Sequence, residues 1–297
     1  MVAPAFEYVA AESYDEAVRL LADAGEDAKL LAGGQSLIPI LNLRLARPQM
    51  VIDINQADGR QPSVSGGMLR LPALTRHHVL LEHDLVRMHC PLLATAVWHV
   101  GNVRVRNRGT VAGSLAHADP TSEIGACALA TGARVVARGP DGSRSLLASE
   151  LFVGYWTTAL ADTEVITDVL IPVGQPRQGW AFHEVVRRTS DFAIVAVAAV
   201  VELHEEADTI ATARVALAGV ADRVRLASPE MLTDLIDSAL SGTTGEDGAD
   251  AAAARIAGSL EPPTDVHASG EYRRRLTRVL TARALREAYA RAARVPA

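Results

Sequence analysis

Cysteine, lysine and aromatic residues are scarce in this chain, and each shortage excludes a class of function. The 297 residues contain two cysteines, Cys90 and Cys127, which share no CxxC pair. A zinc ribbon or an iron–sulfur cluster held by this chain alone is thereby excluded, and reduced, buried thiols of a cytoplasmic protein are expected. Lys29 is the sole lysine, so no glycine loop here ends in a Walker-type lysine. Aromatic residues are 4% of the chain and its net charge is −6. With no basic stripe interleaved with aromatics, nucleic-acid binding is not expected. Long hydrophobic runs are also missing: "FAIVAVAAVVEL" (192–203) is too short to span a bilayer and ends in charges. The N-terminal "MVAPAFEYVAAESYDEA" has no charged n-region followed by an apolar stretch, so it does not read as a secretory signal.

Several site signatures are absent as well. GxGxxG, GxxxxGK[ST], GxSxG and HExxH do not occur. His77, His78 and His83 lack metal-ligand spacing and are expected as solvated surface residues on one helix. "HAD" (117–119) pairs an imidazole with a carboxylate, but no nucleophile accompanies it. Neither a catalytic group nor a metal site is therefore expected.

What remains is a composition of 49% hydrophobic and 22% charged residues, enough for sizeable cores and two domains. The first segment, 1–56, alternates strand and helix. Strand "FEYVAAES" precedes a helix capped by Ser13 and Glu16 and stopped at Gly25. Strand "AKLLAG", helix "SLIPILNLRLA" and strand "QMVIDIN" follow. This spacing predicts a small parallel α/β unit. A second unit over 57–176 has strand "MLRLPAL", helices "TRHHVLLEHDLVRMH", "CPLLATAVWHV" and "IGACALATG", and strands "ARVVARG" and "TEVITDVLIP". "VGQPRQG" then reads as an inter-domain turn. Residues 177–297 open with three apolar strands in sequence, which predict an antiparallel meander. Helices are expected near 229–240 and 250–257 and from 271 to 293, with "SGTTGEDGAD" a flexible loop. The last helix carries an apolar stripe of Leu276, Leu280, Ala284 and Ala288, and its arginines read as a solvated face.

Two glycine loops stand out. In "LLAGGQSL" the glycines admit positive φ and close approach to the backbone. Successive amides there can form an anion-binding nest, or the segment is an ordinary turn whose Ser36 caps the next helix. "NRGTVAGSLAHADPTSE" (107–123) repeats the composition before another apolar helix. Two nests flanking one cleft would suit a diphosphate, whose charge spreads over several oxygens. Asp119, Ser122 and Glu123 are spaced for sugar hydroxyls, or they form a turn and a helix cap.

These two stretches, "LLAGGQSLIPILNLRLARPQMVIDI" and "VRNRGTVAGSLAHADPTSEIGACALATGARV", resemble the FAD-binding medium subunit of molybdenum hydroxylases. That family includes carbon monoxide dehydrogenase and xanthine dehydrogenase, and the resemblance spans nearly the whole chain. It implies an α+β fold: a vanillyl-alcohol-oxidase (PCMH)-type FAD domain of two α/β subdomains. A CO-dehydrogenase-flavoprotein-type C-terminal domain follows, a three-stranded antiparallel sheet with helices. It implies FAD held by Leu30, Leu31, Ala32, Gly33, Gly34, Gln35, Ser36 and Leu37 on one side. On the other stand Thr110, Ala112, Gly113, Ser114, His117, Ser122 and Glu123, with Ile166 as an apolar neighbour of the flavin. His183 matches a lysine that lies near the ring in xanthine oxidoreductases, and Phe192 stands where carbon monoxide dehydrogenases have tyrosine. Ala112-Gly113-Ser114 replaces a common Gly-Gly-Asn, and a positive φ at Ala112 would cost about 1 kcal/mol. The implied activity is electron relay. A [2Fe–2S] small subunit passes electrons to the FAD of this chain from a molybdopterin-containing large subunit, in a heterotrimer or a dimer of heterotrimers. The FAD then delivers them to NAD, oxygen, a quinone or another acceptor. A stand-alone FAD oxidase and a scaffold without flavin are the competing readings.

Overall fold

The computed structural model describes residues 3–233, 235–236 and 245–294, with side chains of 245–247 left aside. In the first unit, β1 (Glu7–Ala10), β2 (Ala28–Leu31) and β3 (Met50–Asp53) form a parallel sheet in the order β1-β3-β2. Parallel neighbours need a crossover. Helix α1 (Tyr14–Ala24) supplies one, and its predicted boundaries hold. Ser13 Oγ accepts from the Glu16 amide, and Gly25 at φ 61° ends the helix. Helix α2 (Leu37–Asn42) makes the other crossover and is shorter than its apolar run, ending before Arg44 at φ 58°.

The second unit is an antiparallel sheet in the order β4-β5-β10-β6-β7. Its strands are β4 (Ser63–Ser65), β5 (Met68–Pro72), β6 (Arg134–Gly139), β7 (Gly142–Leu147) and β10 (Val165–Pro172). The exposed strands β4 and β7 escape the sequence pattern because both are polar and solvent-facing. The helices of this unit are α3 (His77–Glu82), α4 (Asp84–His89), α5 (Pro91–His99), α6 (Val103–Arg108), α7 (Val111–His117), α8 (Glu123–Thr131) and α9 (Ala148–Leu151), of which α4, α7, α8 and α9 pack on the sheet. A short hairpin, β8 (Phe152–Gly154) and β9 (Thr157–Thr158), follows α9. The single helix expected over 75–89 is two, because His83 takes extended backbone angles and its Nδ1 caps the Leu85 amide.

The C-terminal meander is β11 (Gln178–Val186), β12 (Ala193–Leu203) and β13 (Ile210–Ala218), extended by the two-residue edge strand β14 (Arg225–Leu226). Strand β12 is apolar on both faces because both are covered. Phe182, Ala196, Ala198 and Val200 join the core that contains α5 and α8. Ala181, Val195, Val197 and Ala199 pack beneath α10 (Gly245–Gly258) and α11 (Gly270–Ala293). The expected loop 241–250 is already helical from Gly245, and residues 241–244 lie outside those described. The expected helix 229–240 begins as a 3-10 turn, Pro229–Leu232, and its end lies outside them too. On α11, Leu280, Ala284 and Ala288 are buried as the stripe requires. One arginine departs from the solvated face. Arg273 is 3% exposed and donates to the carbonyls of Ile194 at 2.5 Å and Gly219 at 3.0 Å, and to Asp265 Oδ2 at 2.6 Å. Among the described residues no helix is long and apolar enough to cross a membrane.

Candidate cofactor site

Strand β2 ends at Leu31, and the chain turns through Gly34 at φ 71° into α2. Along this turn the amides of Gly33, Gly34, Gln35, Ser36 and Leu37 donate to no protein acceptor among the described residues, the first such bond being Ile38 N to Gly34 O. Consecutive unpaired amides in a turn with one left-handed residue form an anion-binding concavity. The Ser36 hydroxyl does not cap α2, so the bland reading of that residue does not hold. Gln35 Nε2 folds back onto the Gly33 carbonyl at 3.1 Å and stiffens the turn.

The glycines have different reasons. Gly34 supplies the left-handed backbone. Gly33 makes room for the second loop: a Cβ there would land on the Arg108 carbonyl oxygen and within 2.8 Å of Gly109 Cα. The two segments therefore cross backbone to backbone. Asn55 and Arg76 fasten the crossing. Asn55 Nδ2 donates to Ala32 O at 2.8 Å, and Arg76 donates to Asn55 Oδ1 at 2.5 Å and to the Arg108 carbonyl.

The second loop is not a second nest. Val111–His117 is a helix, and its first amides are already taken: Val111 N by Thr75 O, Ala112 N by Ala73 O, Gly113 N by Thr110 Oγ1 and Ser114 N by Thr110 O. Ala112 is helical, so the expected strain of a positive φ does not arise. What this side offers is side chains. Residues 109–111 pair with 75–77, where His77 N donates to Gly109 O. His77 is correspondingly buried, contrary to the expectation of a surface histidine. Burial lowers its pKa to about 4, so the ring is neutral. A carbonyl accepts only from N–H, so Nε2–H donates to Thr110 O at 3.0 Å and Nδ1 is bare.

At the far end of α7, Ser114 Oγ lies 3.2 Å from Ser122 Oγ, which also caps α8 by accepting from Gly125 N at 3.0 Å. Asp119 closes the intervening turn, its Oδ1 accepting from the Thr121 amide at 2.8 Å and hydroxyl at 2.6 Å. The cap and turn readings of Ser122 and Asp119 therefore hold. Burial lowers the His117 pKa. Burial also pushes Glu123 up to about 8, with Glu184 and Asp119 adding to the effect. At neutral pH Glu123 thus carries a proton and can donate as well as accept.

The structure brings Ala32 and Gly33 against Gly113, Arg108 and Gly109 and Ser114 against Ser122, with His117 at the end of α7 and Glu123 at the start of α8. Ile166 is buried in the central core on β10. His183 is not brought to this group. On β11 it points to the face beneath α11, where Nε2 lies 2.8 Å from Glu287 Oε2. Strand alternation is the cause: Phe182 and Glu184 take the opposite face. Phe192 is 72% exposed. A separate groove of about 390 Å³ is lined by Tyr14, Arg60, Arg70 and Asp168. Its guanidiniums are spent on carboxylates, Arg70 at 2.7 Å and Arg60 at 3.0 Å on Asp168 and Arg138 on Asp15, which leaves it no free charge for a ligand. Asn55, Arg76 and His77 were not legible as site residues, since each acts through a backbone contact made only by folding.

Comparison with known proteins agrees with this geometry. Residues 4–174 match the family described as FAD binding domain in molybdopterin dehydrogenase, and 180–288 match the CO dehydrogenase flavoprotein C-terminal domain. The chain is 38% identical over 293 residues to the 6-hydroxypseudooxynicotine dehydrogenase complex subunit alpha of Paenarthrobacter nicotinovorans, covering 98% of this chain and 97% of that one. It is 35% identical over 294 residues to the carbon monoxide dehydrogenase medium chain of Hydrogenophaga pseudoflava, covering 99% and 100%. The solved carbon monoxide dehydrogenase of Hydrogenophaga pseudoflava that lacks the Mo-pyranopterin moiety superimposes with a TM-score of 0.92 at 34% identity, covering 98% of this chain and 99% of that one. With its row of open amides set against a hydroxyl- and carboxyl-bearing helix pair, this chain belongs to the FAD-binding family of molybdopterin dehydrogenases, as an oxidoreductase subunit carrying the CO dehydrogenase flavoprotein C-terminal domain.

Proposed function

We propose that this chain holds FAD as the electron-transfer subunit of a molybdopterin-dependent hydroxylase. It would take electrons from the [2Fe–2S] clusters of a small subunit and pass them to an external acceptor. The observation that carries the reading is the run of five unpaired amides at residues 33–37. Their partial positive charges would hold the diphosphate, since a preorganised donor array binds an anion with little reorganisation. Thr110, Ser114, His117, Ser122 and Glu123 would meet the polar chain and ring edge from the other side, through hydroxyl, imidazole and carboxyl groups. Bound flavin supplies the redox chemistry, one or two electrons at a time; the protein positions it and tunes its potential. Two cysteines in 297 residues leave cluster ligation to a partner chain, in a heterotrimer or its dimer.

The division into 1–176, with subdomains 1–56 and 57–176, and 177–297 belongs to the same proposal. It is supported by two sheets and their helices on one side and the meander with its helical layer on the other. The scaffold reading rests on Ala112 and Ser114, and the helical backbone at Ala112 removes the first of these. Purification of the chain tests the proposal. A yellow protein with one FAD per chain is expected, together with co-purification of iron- and molybdenum-bearing partners from the native host. A colourless chain that cannot be reconstituted overturns it.

A further inference from the structure

Two serine hydroxyls stand where α7 meets α8, Ser114 on the first helix and Ser122 at the head of the second. Their oxygens are 3.2 Å apart, a distance at which either could donate. The surroundings fix the direction. Ser122 is 4% exposed, and its Oγ already accepts from the Gly125 amide at 3.0 Å. Among the described residues the Ser114 oxygen is the one acceptor its own hydrogen meets. Were Ser114 the donor, Ser122 would accept twice, and its hydrogen would be buried with no partner at the full cost of desolvation. Ser122 therefore donates and Ser114 accepts.

The same accounting frees the Ser114 hydrogen. A helical serine commonly turns its hydroxyl back onto the carbonyl four residues earlier, which here is Thr110. That oxygen has two lone pairs, and they receive the Ser114 amide at 3.1 Å and His77 Nε2–H at 3.0 Å. No other acceptor among the described residues meets the Ser114 hydroxyl. The bonds from Gly125 N–H to Ser122 and from Ser122 to Ser114 thus run one way, and each donation strengthens the next hydroxyl as a donor. The helix that carries Ser114 lies against the start of the open amide run: a Cβ on Gly113 would fall 4.0 Å from Ala32 Cβ. A half-buried hydroxyl with a spare, polarised hydrogen beside an anion cradle lacks one acceptor.

We infer that Ser122 is a positioning residue that sets Ser114 as a hydrogen-bond donor toward the cofactor, an inference that rests on the FAD reading above. The atom that Ser114 meets is then an acceptor with no hydrogen of its own. In FAD that class comprises the phosphate oxygens and the carbonyl oxygens and bare nitrogens of the ring. A ribityl hydroxyl, which can itself donate, gains nothing from a partner of fixed direction. Ser122, buried under its own helix cap, acts through Ser114 and not on the ligand.

FAD binding to the cofactor-free full chain, followed by the change in flavin fluorescence, tests this as a double-mutant cycle. Ser114→Ala removes the donor, and its dissociation constant should rise about tenfold. Ser122→Gly removes the hydroxyl behind it at little loss of helix capping, and should weaken binding at least about threefold. In the Ser114→Ala background Ser122→Gly should add nothing. Ser122→Thr keeps both bonds and should bind as the wild type does. Should Ser122→Gly fail to fold, Ser122→Ala takes its place in the same cycle. ADP, titrated by competition with FAD, identifies the acceptor: a rise shared by ADP assigns it to a phosphate, and a rise confined to FAD assigns it to the ring. Wild-type affinity in Ser114→Ala or Ser122→Gly overturns the inference. So does a Ser122→Gly effect that persists undiminished without Ser114, because Ser122 then acts by another route. Both results leave the flavin reading standing. A wild-type chain that takes up no FAD overturns that reading, and the inference with it.

Discussion

Gly33 and Gly34 are adjacent and chemically identical, yet they serve unlike ends. Gly34 carries the left-handed turn that lines up the free amides, and Gly33 lets the 108–109 backbone pass. Gly33→Ala should therefore push the two loops apart even though alanine is small. We expect it to lose about 1–3 kcal/mol of stability and most of its FAD, read from thermal unfolding and the visible-to-ultraviolet absorbance ratio. Gly34→Val forces a β-branched residue to φ 71° with Cβ 3.1 Å from Ile38 Cγ1. It should also abolish FAD binding, and wild-type FAD content in that variant would displace the loop from the site. His77 and Glu123 set opposite pH limits on the cofactor-free chain. The folded His77 pKa is near 4, below the unfolded value, so its contribution is complete above about 6.5 and is lost as pH falls through 4. The folded Glu123 pKa is near 8, above the unfolded value, so its contribution is complete below about 4.5 and is lost as pH rises through 8. Urea unfolding across pH should show the acid limb flattened in His77→Gln and the alkaline limb flattened in Glu123→Gln.

Among the elements, the crossing of the β2–α2 and α6–α7 connections is held by two side chains on neither loop. Asn55 follows β3 and Arg76 precedes α3, and together they bind the Ala32 and Arg108 carbonyls. Arg76→Met keeps the side-chain length and removes both bonds. It should weaken FAD retention by about tenfold, the equivalent of one to two ordinary hydrogen bonds, while leaving the rest of the fold intact. Dialysis against apo-chain with absorbance readout measures this. At the other end of the molecule, Arg273 on α11 plays the same part for the meander, joining the end of β13 to the start of β12 through the Gly219 and Ile194 carbonyls. Arg273→Met leaves the two carbonyls without this donor, while Asp265 keeps the His267 and Ala268 amides. A loss of about 2–4 kcal/mol is expected from the two carbonyls, visible as a lower unfolding midpoint with the FAD site unaltered. A midpoint within a degree of wild type would show that these bonds are replaced by water.

For the whole molecule, the C-terminal sheet is more than an appendage to the FAD domain. One face of β11 and β12 completes the core around α5 and α8, and the same face brings Glu184 to His99 and within electrostatic reach of Glu123. The C-terminal half therefore reaches the electrostatics of the candidate site without supplying an amide to it. Deleting it should expose α8 and yield an aggregating chain, not a smaller flavoprotein. A monodisperse, FAD-loaded fragment of residues 1–176 on gel filtration would contradict this.

Local chemistry was enough to determine much of this protein. Ser13 and Gly25 announced α1, the apolar runs announced the meander, and "LLAGGQSL" announced an open turn, because caps, turns and strand periodicity act over a few residues. The two motifs together were also enough to mark the family. The meaning of the second motif was decided in three dimensions. "RGTVAGSL" has the composition of a nest but folds as a helix, because Ala73, Thr75 and Thr110 lie where they can take its amides. Likewise His77 looked like a surface histidine until residues 109–111 closed over it, and His183 missed the site because one strand position decides which face a side chain takes. The pairing of Glu184 with His99 joins residues 85 positions apart, too distant in sequence for any local pattern to couple them.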